Sequence, residues 1–154
     1  MLNADAKLEI MELFSKYLLC LDERRFNTES FAEIFTENAE VSIPSKMTTI
    51  RECNGLMEIR DIHVTLFRLV KSSHHVSSDY IFTSLTDKSA EVICNLSVYL
   101  NPFGDDDCGK LSVGTVNFHA VNTDEGWRIQ KMSRKTKFFY SFAPDTKNQE
   151  VFTL

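Results

Sequence analysis

A chain of 154 residues, 43% hydrophobic and 25% charged, has the size and balance of one globular domain with a real core, spanning residues 1–154. A net charge of -5 argues against nucleic acid, which needs clustered Lys and Arg, and no apolar run is long enough for a membrane span. Met1-Leu2-Asn3-Ala4-Asp5 lacks the basic and apolar parts of a signal peptide, and Cys20, Cys53, Cys94 and Cys108 form no CxxC pair, so the expectation is a cytoplasmic protein with free thiols.

Residues 4–23 carry Ile10, Met11, Phe14, Tyr17, Leu18 and Leu21 at three- and four-residue spacing, which predicts an amphipathic helix. Asn27 or Thr28 is placed to cap a short second helix running to Phe35. Ala39 to Ile43 alternates and meets Pro44, as a short strand would. Residues 45–54 read as a polar loop, and residues 55–70 as a third helix that buries Leu56, Ile59, Ile62, Leu66 and Leu69.

The period then changes to two. Strands are predicted over 76–85, 90–100 and 110–122, with a last long strand opening at Gly126-Trp127-Arg128-Ile129. Residues 101–109 hold Pro102, two glycines and Asp105-Asp106-Asp107, and read as a solvated loop; a calcium loop would need a downstream Glu that is missing. Helices first and antiparallel strands afterwards imply an α+β domain with helices on one sheet face. The four histidines lack zinc spacing, and there is no phosphate loop or nucleophile elbow, so no cofactor or metal is expected.

Tyr17 and Asp22 end the first helix, and His74-His75 stand just before the first long strand. A phenol, a carboxylate and an imidazole are the parts for moving protons on a carbonyl compound. Each has a plainer reading. Tyr17 suits a core position and Asp22 a solvated helix end. His63 suits a partly exposed helix face and His119 an outer sheet face.

Four segments resemble the SnoaL-like branch of the nuclear-transport-factor-2-like superfamily: Tyr17 to Asp22, Phe35 to Val41, Gly55 with Ile59, and Gly114 with Gly126-Trp127-Arg128-Ile129. Polyketide cyclases, scytalone dehydratase, bile-acid dehydratases and ketosteroid isomerases belong to that superfamily. The resemblance implies a cone: a strongly bent antiparallel sheet wrapped around three N-terminal helices, a cystatin-like α+β barrel. It also implies a homodimer through the outer sheet face and a pocket for a hydrophobic small molecule. Tyr17, Asp22 and His74 match the catalytic positions of its dehydratases; of the two adjacent histidines, the alternation that follows favours His74. A second histidine found in some dehydratases falls here at Thr115, which puts a two-histidine mechanism in doubt. Val92, Cys94, Leu96 and Val98, with Val116 and Phe118, suggest an apolar pocket wall. Phe138, Phe139, Tyr140 and Phe142 are placed either to cap the cone mouth or to pack on the core.

The implied activity is a cofactor-independent dehydratase, cyclase or isomerase acting on a polyketide- or steroid-like carbonyl compound. Here His74 is the base, Asp22 orients it and Tyr17 stabilises the enolate. The competing expectation is a non-catalytic ligand-binding or assembly module of the same fold. An open cone with these groups together favours the enzyme; a filled cone favours the module.

Overall fold

The computed structural model describes residues 2–46, 49–103 and 109–142. The elements run α1 (Leu2–Asp22), α2 (Thr28–Ala32), β1 (Phe35–Lys46), β2 (Thr49–Asn54), α3 (Leu56–Phe67), β3 (Val70–Leu85), β4 (Ser89–Pro102), β5 (Gly109–Thr123) and β6 (Gly126–Phe142). Asp105-Asp106-Asp107 and Cys108 lie outside the described residues.

The apolar stripe of α1 buries Ile10, Leu13, Phe14, Tyr17, Leu18 and Leu21. The helix stops because Arg24 enters the left-handed region at φ 56°, while the Arg25 N–H donates to Cys20 O at 2.9 Å. The Arg24 guanidinium then donates to the carbonyls of Phe67 and Val70. One side chain thereby fixes the end of α1 against the junction of α3 and β3. Asn27 caps α2, its Oδ1 accepting from the Ser30 N–H at 2.7 Å.

Strand β2 occupies a stretch expected to be loop. Its sequence is mostly polar, and it forms by antiparallel pairing with β1 as an edge strand. At the start of α3, Gly55 has φ +83°, and its N–H donates to Ala39 O at 2.8 Å. A Cβ there would lie 3.2 Å from Glu37 O, so both the dihedral and the close approach call for glycine.

The six strands form one sheet in the order β2-β1-β6-β5-β4-β3. Pairing is antiparallel except between β1 and β6, which run parallel. Strands β3 to β6 are 14 to 17 residues long, and bulges interrupt the β3–β4 and β5–β6 ladders. Each bulge bends and twists its strand, so the long sheet curls around the helices. Val92, Cys94, Leu96 and Val98 of β4 face inward with Val116, Phe118 and Ala120 of β5. Phe14 of α1 stacks on Phe118 with ring centroids 5.0 Å apart. Gly114 permits the β5–β6 contact, since a Cβ there would meet Lys135 O at 2.1 Å.

The outer face carries His119, whose Nδ1 lies 2.7 Å from Glu91 Oε1, and exposed Tyr99, Phe138 and Tyr140. Thr115 is also on this face, between inward Gly114 and Val116, so the place of a second dehydratase histidine does not open on the interior. Cys20, Cys53 and Cys94 are buried free thiols. Among the described residues no helix is long and apolar enough to cross a membrane.

Candidate active site

The curled sheet and the helices enclose a cavity of about 490 Å³. Leu21, Ile43, Leu66, Phe67, Leu96, Val98, Val116 and Met132 make its wall mainly apolar. Its polar groups come from Tyr17 (α1), His63 (α3), His75 (β3), and Lys110, Ser112, Arg134 and Thr136 (β5 and β6).

Asp22 reaches from the end of α1 across to β3. Its Oδ1 accepts from the Ser73 hydroxyl at 2.8 Å and from His75 Nδ1 at 2.6 Å, and its Oδ2 accepts from the His75 backbone N–H at 2.9 Å. A carboxylate at a helix C-terminus faces an unfavourable dipole, and these three donors offset it. Burial pushes the Asp22 carboxyl up. The side-chain and backbone hydrogen bonds from His75, its charge and the Ser73 hydroxyl outweigh burial, so the net shift is downward.

The imidazole in the site is therefore His75, not His74. The His75 side chain is 4% exposed and lies against Phe67. The His74 side chain is 73% exposed, beside Tyr99 on the outer face, with Nδ1 3.9 Å from Asp22 Oδ2. A bulge explains the difference. Tyr80 and Phe82 point inward, and a strict period of two carries that phase back to His74. Asp79 sits at φ 54°, however, where the β3–β4 register shifts, and one residue drops out of the alternation. Upstream of it the inward set is Ser73, His75 and Ser77.

His63, expected at the surface, is 1% exposed. Its Nδ1 lies 2.6 Å from Ile59 O and its Nε2 lies 2.8 Å from the Tyr17 hydroxyl. Burial lowers its pKa to about 4, with the Ile59 hydrogen bond opposing and His75 adding to the fall. The ring is therefore neutral at pH 7. A carbonyl only accepts, so Nδ1 carries the hydrogen and Nε2 accepts the Tyr17 proton. Burial raises the pKa of that phenol, against the opposing Arg134 charge.

Arg134 is the group that sequence reasoning missed. One Nη donates to Ser112 Oγ at 2.8 Å, and its Nε is enclosed without a hydrogen-bond partner among the described residues. Burial lowers its pKa, and the Tyr17 hydroxyl works the other way. Among the described residues neither Arg134 nor Lys110 forms an ion pair. At the rim, Phe139 lines the cavity, whereas Phe138 and Tyr140 face outward; the Phe142 side chain lies outside the described residues.

Among solved structures, a protein from Kribbella flavida, Kfla4162, superposes with a TM-score of 0.79 at 19% identity, over 88% of this chain and 93% of its own. The hexachlorocyclohexane dehydrochlorinase LinA-type3 from Novosphingobium barchaimii gives 0.78 at 15% identity, over 92% and 93%. A putative scytalone dehydratase from Novosphingobium aromaticivorans gives 0.75 at 16% identity, over 90% and 91%. At such identities the likeness is one of fold. No curated protein matches. The sequence pattern of the SnoaL-like domain matches residues 3–133, and the chain belongs to that family.

Proposed function

We propose that this protein is a cofactor-independent acid–base enzyme that removes a proton next to the carbonyl of a hydrophobic, polyketide- or steroid-like compound. The 2.6 Å contact between Asp22 and His75 at the wall of an apolar cavity carries the reading. Asp22 accepts the Nδ1–H and so selects the tautomer whose free Nε2 acts as base. As Nε2 takes the proton, the carboxylate stabilises the imidazolium. General-base help of this kind supplies about 10²–10⁴-fold.

The electrons left on carbon move to the carbonyl oxygen. Arg134 supplies the positive charge for that enolate, a part that Tyr17 leaves open because its proton is given to His63. A preorganised donor to a developing oxyanion is worth about 10²–10³-fold. Expulsion of a neighbouring leaving group gives elimination, return of the proton elsewhere gives isomerisation, and attack of the enolate carbon on a second carbonyl gives cyclisation.

The dehydrochlorinase and dehydratase names among the structural neighbours agree with chemistry that starts by proton removal. An open cavity, rather than a cone filled by side chains, favours an enzyme over an assembly module. The test is a turnover screen of hydrophobic ketones and β-hydroxy ketones with wild type and Asp22→Asn. Conversion by the wild type that falls at least about 100-fold in the variant supports the reading. Equal turnover by both proteins overturns it.

A further inference from the structure

The Tyr17–His63 pair bears on which ligand the cavity accepts, and the inference rests on the reading of the cavity as a substrate pocket. Both side chains line the cavity, and both are almost wholly enclosed. Their hydrogen-bond chain has one direction. Ile59 O can only accept, at 2.6 Å from His63 Nδ1. With one hydrogen on the ring, Nε2 has only a lone pair to offer the Tyr17 hydroxyl at 2.8 Å. The phenol has a single proton, and that proton lies on the line to His63. What the Tyr17 oxygen has left for the cavity is a lone pair.

We propose that His63 is a positioning residue that turns the Tyr17 proton away from the cavity, so that Tyr17 meets the ligand as a hydrogen-bond acceptor and selects compounds bearing a hydroxyl group. Arg134 and Lys110 bring only donors to the same cavity and suit carbonyl or enolate oxygens. The charged donors Lys110 and Arg134 on β5 and β6 thus serve the reacting oxygen, His75 Nε2 keeps its lone pair for the proton it removes, and the Tyr17 oxygen on α1 is left as an acceptor for a hydroxyl. A ligand with an ether or a bare C–H at that point would leave the Tyr17 lone pair unpaired in an apolar wall, which is where discrimination by a missing hydrogen bond is greatest.

The experiment has two readouts, neither of which requires turnover. The first is the His63 tautomer, read from long-range ¹H–¹⁵N correlations of the uniformly labelled wild-type protein. The expected species is neutral with the proton on Nδ1; a proton on Nε2, or a charged ring at pH 7, overturns the proposal. The second is calorimetric binding of 2-naphthol and 2-methoxynaphthalene, matched flat apolar probes that differ in one donor. The wild type is expected to prefer 2-naphthol about tenfold, and Tyr17→Phe to bind both alike. In His63→Phe the phenol proton is free to turn into the cavity, and the preference should move toward the ether. Equal wild-type binding, absence of binding, or a preference that survives Tyr17→Phe overturns the proposal. Neither probe has a C–H next to a carbonyl, so these results leave the reading of His75 as a base untouched.

Discussion

Acidification should destabilise this protein in a pH window set by His63. The ring is buried and neutral in the fold, with its pKa lowered from 6.5 to about 4. Above pH 6.5 it is neutral in folded and unfolded chains alike, and it adds no pH dependence. Below that value the unfolded chain takes up a proton that the folded chain refuses until about pH 4. Stability is therefore full above the unfolded pKa and falls as pH drops toward the folded one. Each pH unit between the two values is worth about 1.4 kcal/mol, so the whole window removes about 3 kcal/mol, a large part of an ordinary domain's stability of about 5–15 kcal/mol. The clean comparison is His63→Gln, which keeps a donor and an acceptor but cannot titrate. Urea unfolding of both proteins from about pH 7 to about pH 4.5 should show the wild type losing about 2–3 kcal/mol more than the variant. Asp22 acts in a separate window: its pKa is lowered, so its contribution is present above the ordinary carboxylate value and lost below it. Parallel wild-type and variant curves would refute the buried neutral imidazole.

Gly114→Ala should be among the most damaging single-methyl changes in the chain, because its Cβ would meet backbone at Lys135; circular dichroism melts should show a loss of several kcal/mol, on the order of 3. Trp127→Ala removes a buried ring at the start of β6 and should cost about 3–5 kcal/mol in chemical denaturation, whereas His74→Ala, on the exposed face, should melt like wild type. The outer sheet face, with exposed Val76, Ile81, Tyr99, Phe138 and Tyr140, is expected to form a homodimer; light scattering should give twice 17.7 kDa for wild type and a monomer for Phe138→Glu, and a wild-type monomer at every concentration would contradict it.

Much of the fold was legible because periodicity survives locally. The 3.6-residue stripe of α1 and the alternation of β4 each lie in one uninterrupted element, and both face as the pattern implies. The site was harder to read because it depends on interruptions. A bulge at Asp79 moves the inward phase from His74 to His75; aspartate tolerates the left-handed region better than most residues, but it occurs at so many other positions that it does not mark a bulge by itself. Arg134 follows a register shift in β6, so its inward direction does not extend from Trp127 and Ile129 by simple alternation; Met132, two residues before it, was the local signal. His63 sat in phase with Ile59 and Ile62 on α3, and polarity alone argued for the surface. Strand β2 has no apolar stripe, and its pairing partner created it.

Proton removal by His75 is tested most directly by exchange. A panel of hydrophobic ketones is incubated in D₂O with wild type, His75→Ala and His74→Ala, and loss of the C–H signal next to the carbonyl is followed by ¹H NMR. Wild type and His74→Ala should both accelerate exchange of at least one ketone, and His75→Ala should lose at least about 100-fold of that acceleration while remaining folded. Exchange undiminished in His75→Ala, exchange lost in His74→Ala, or no acceleration by the wild type would contradict an Asp22–His75 base.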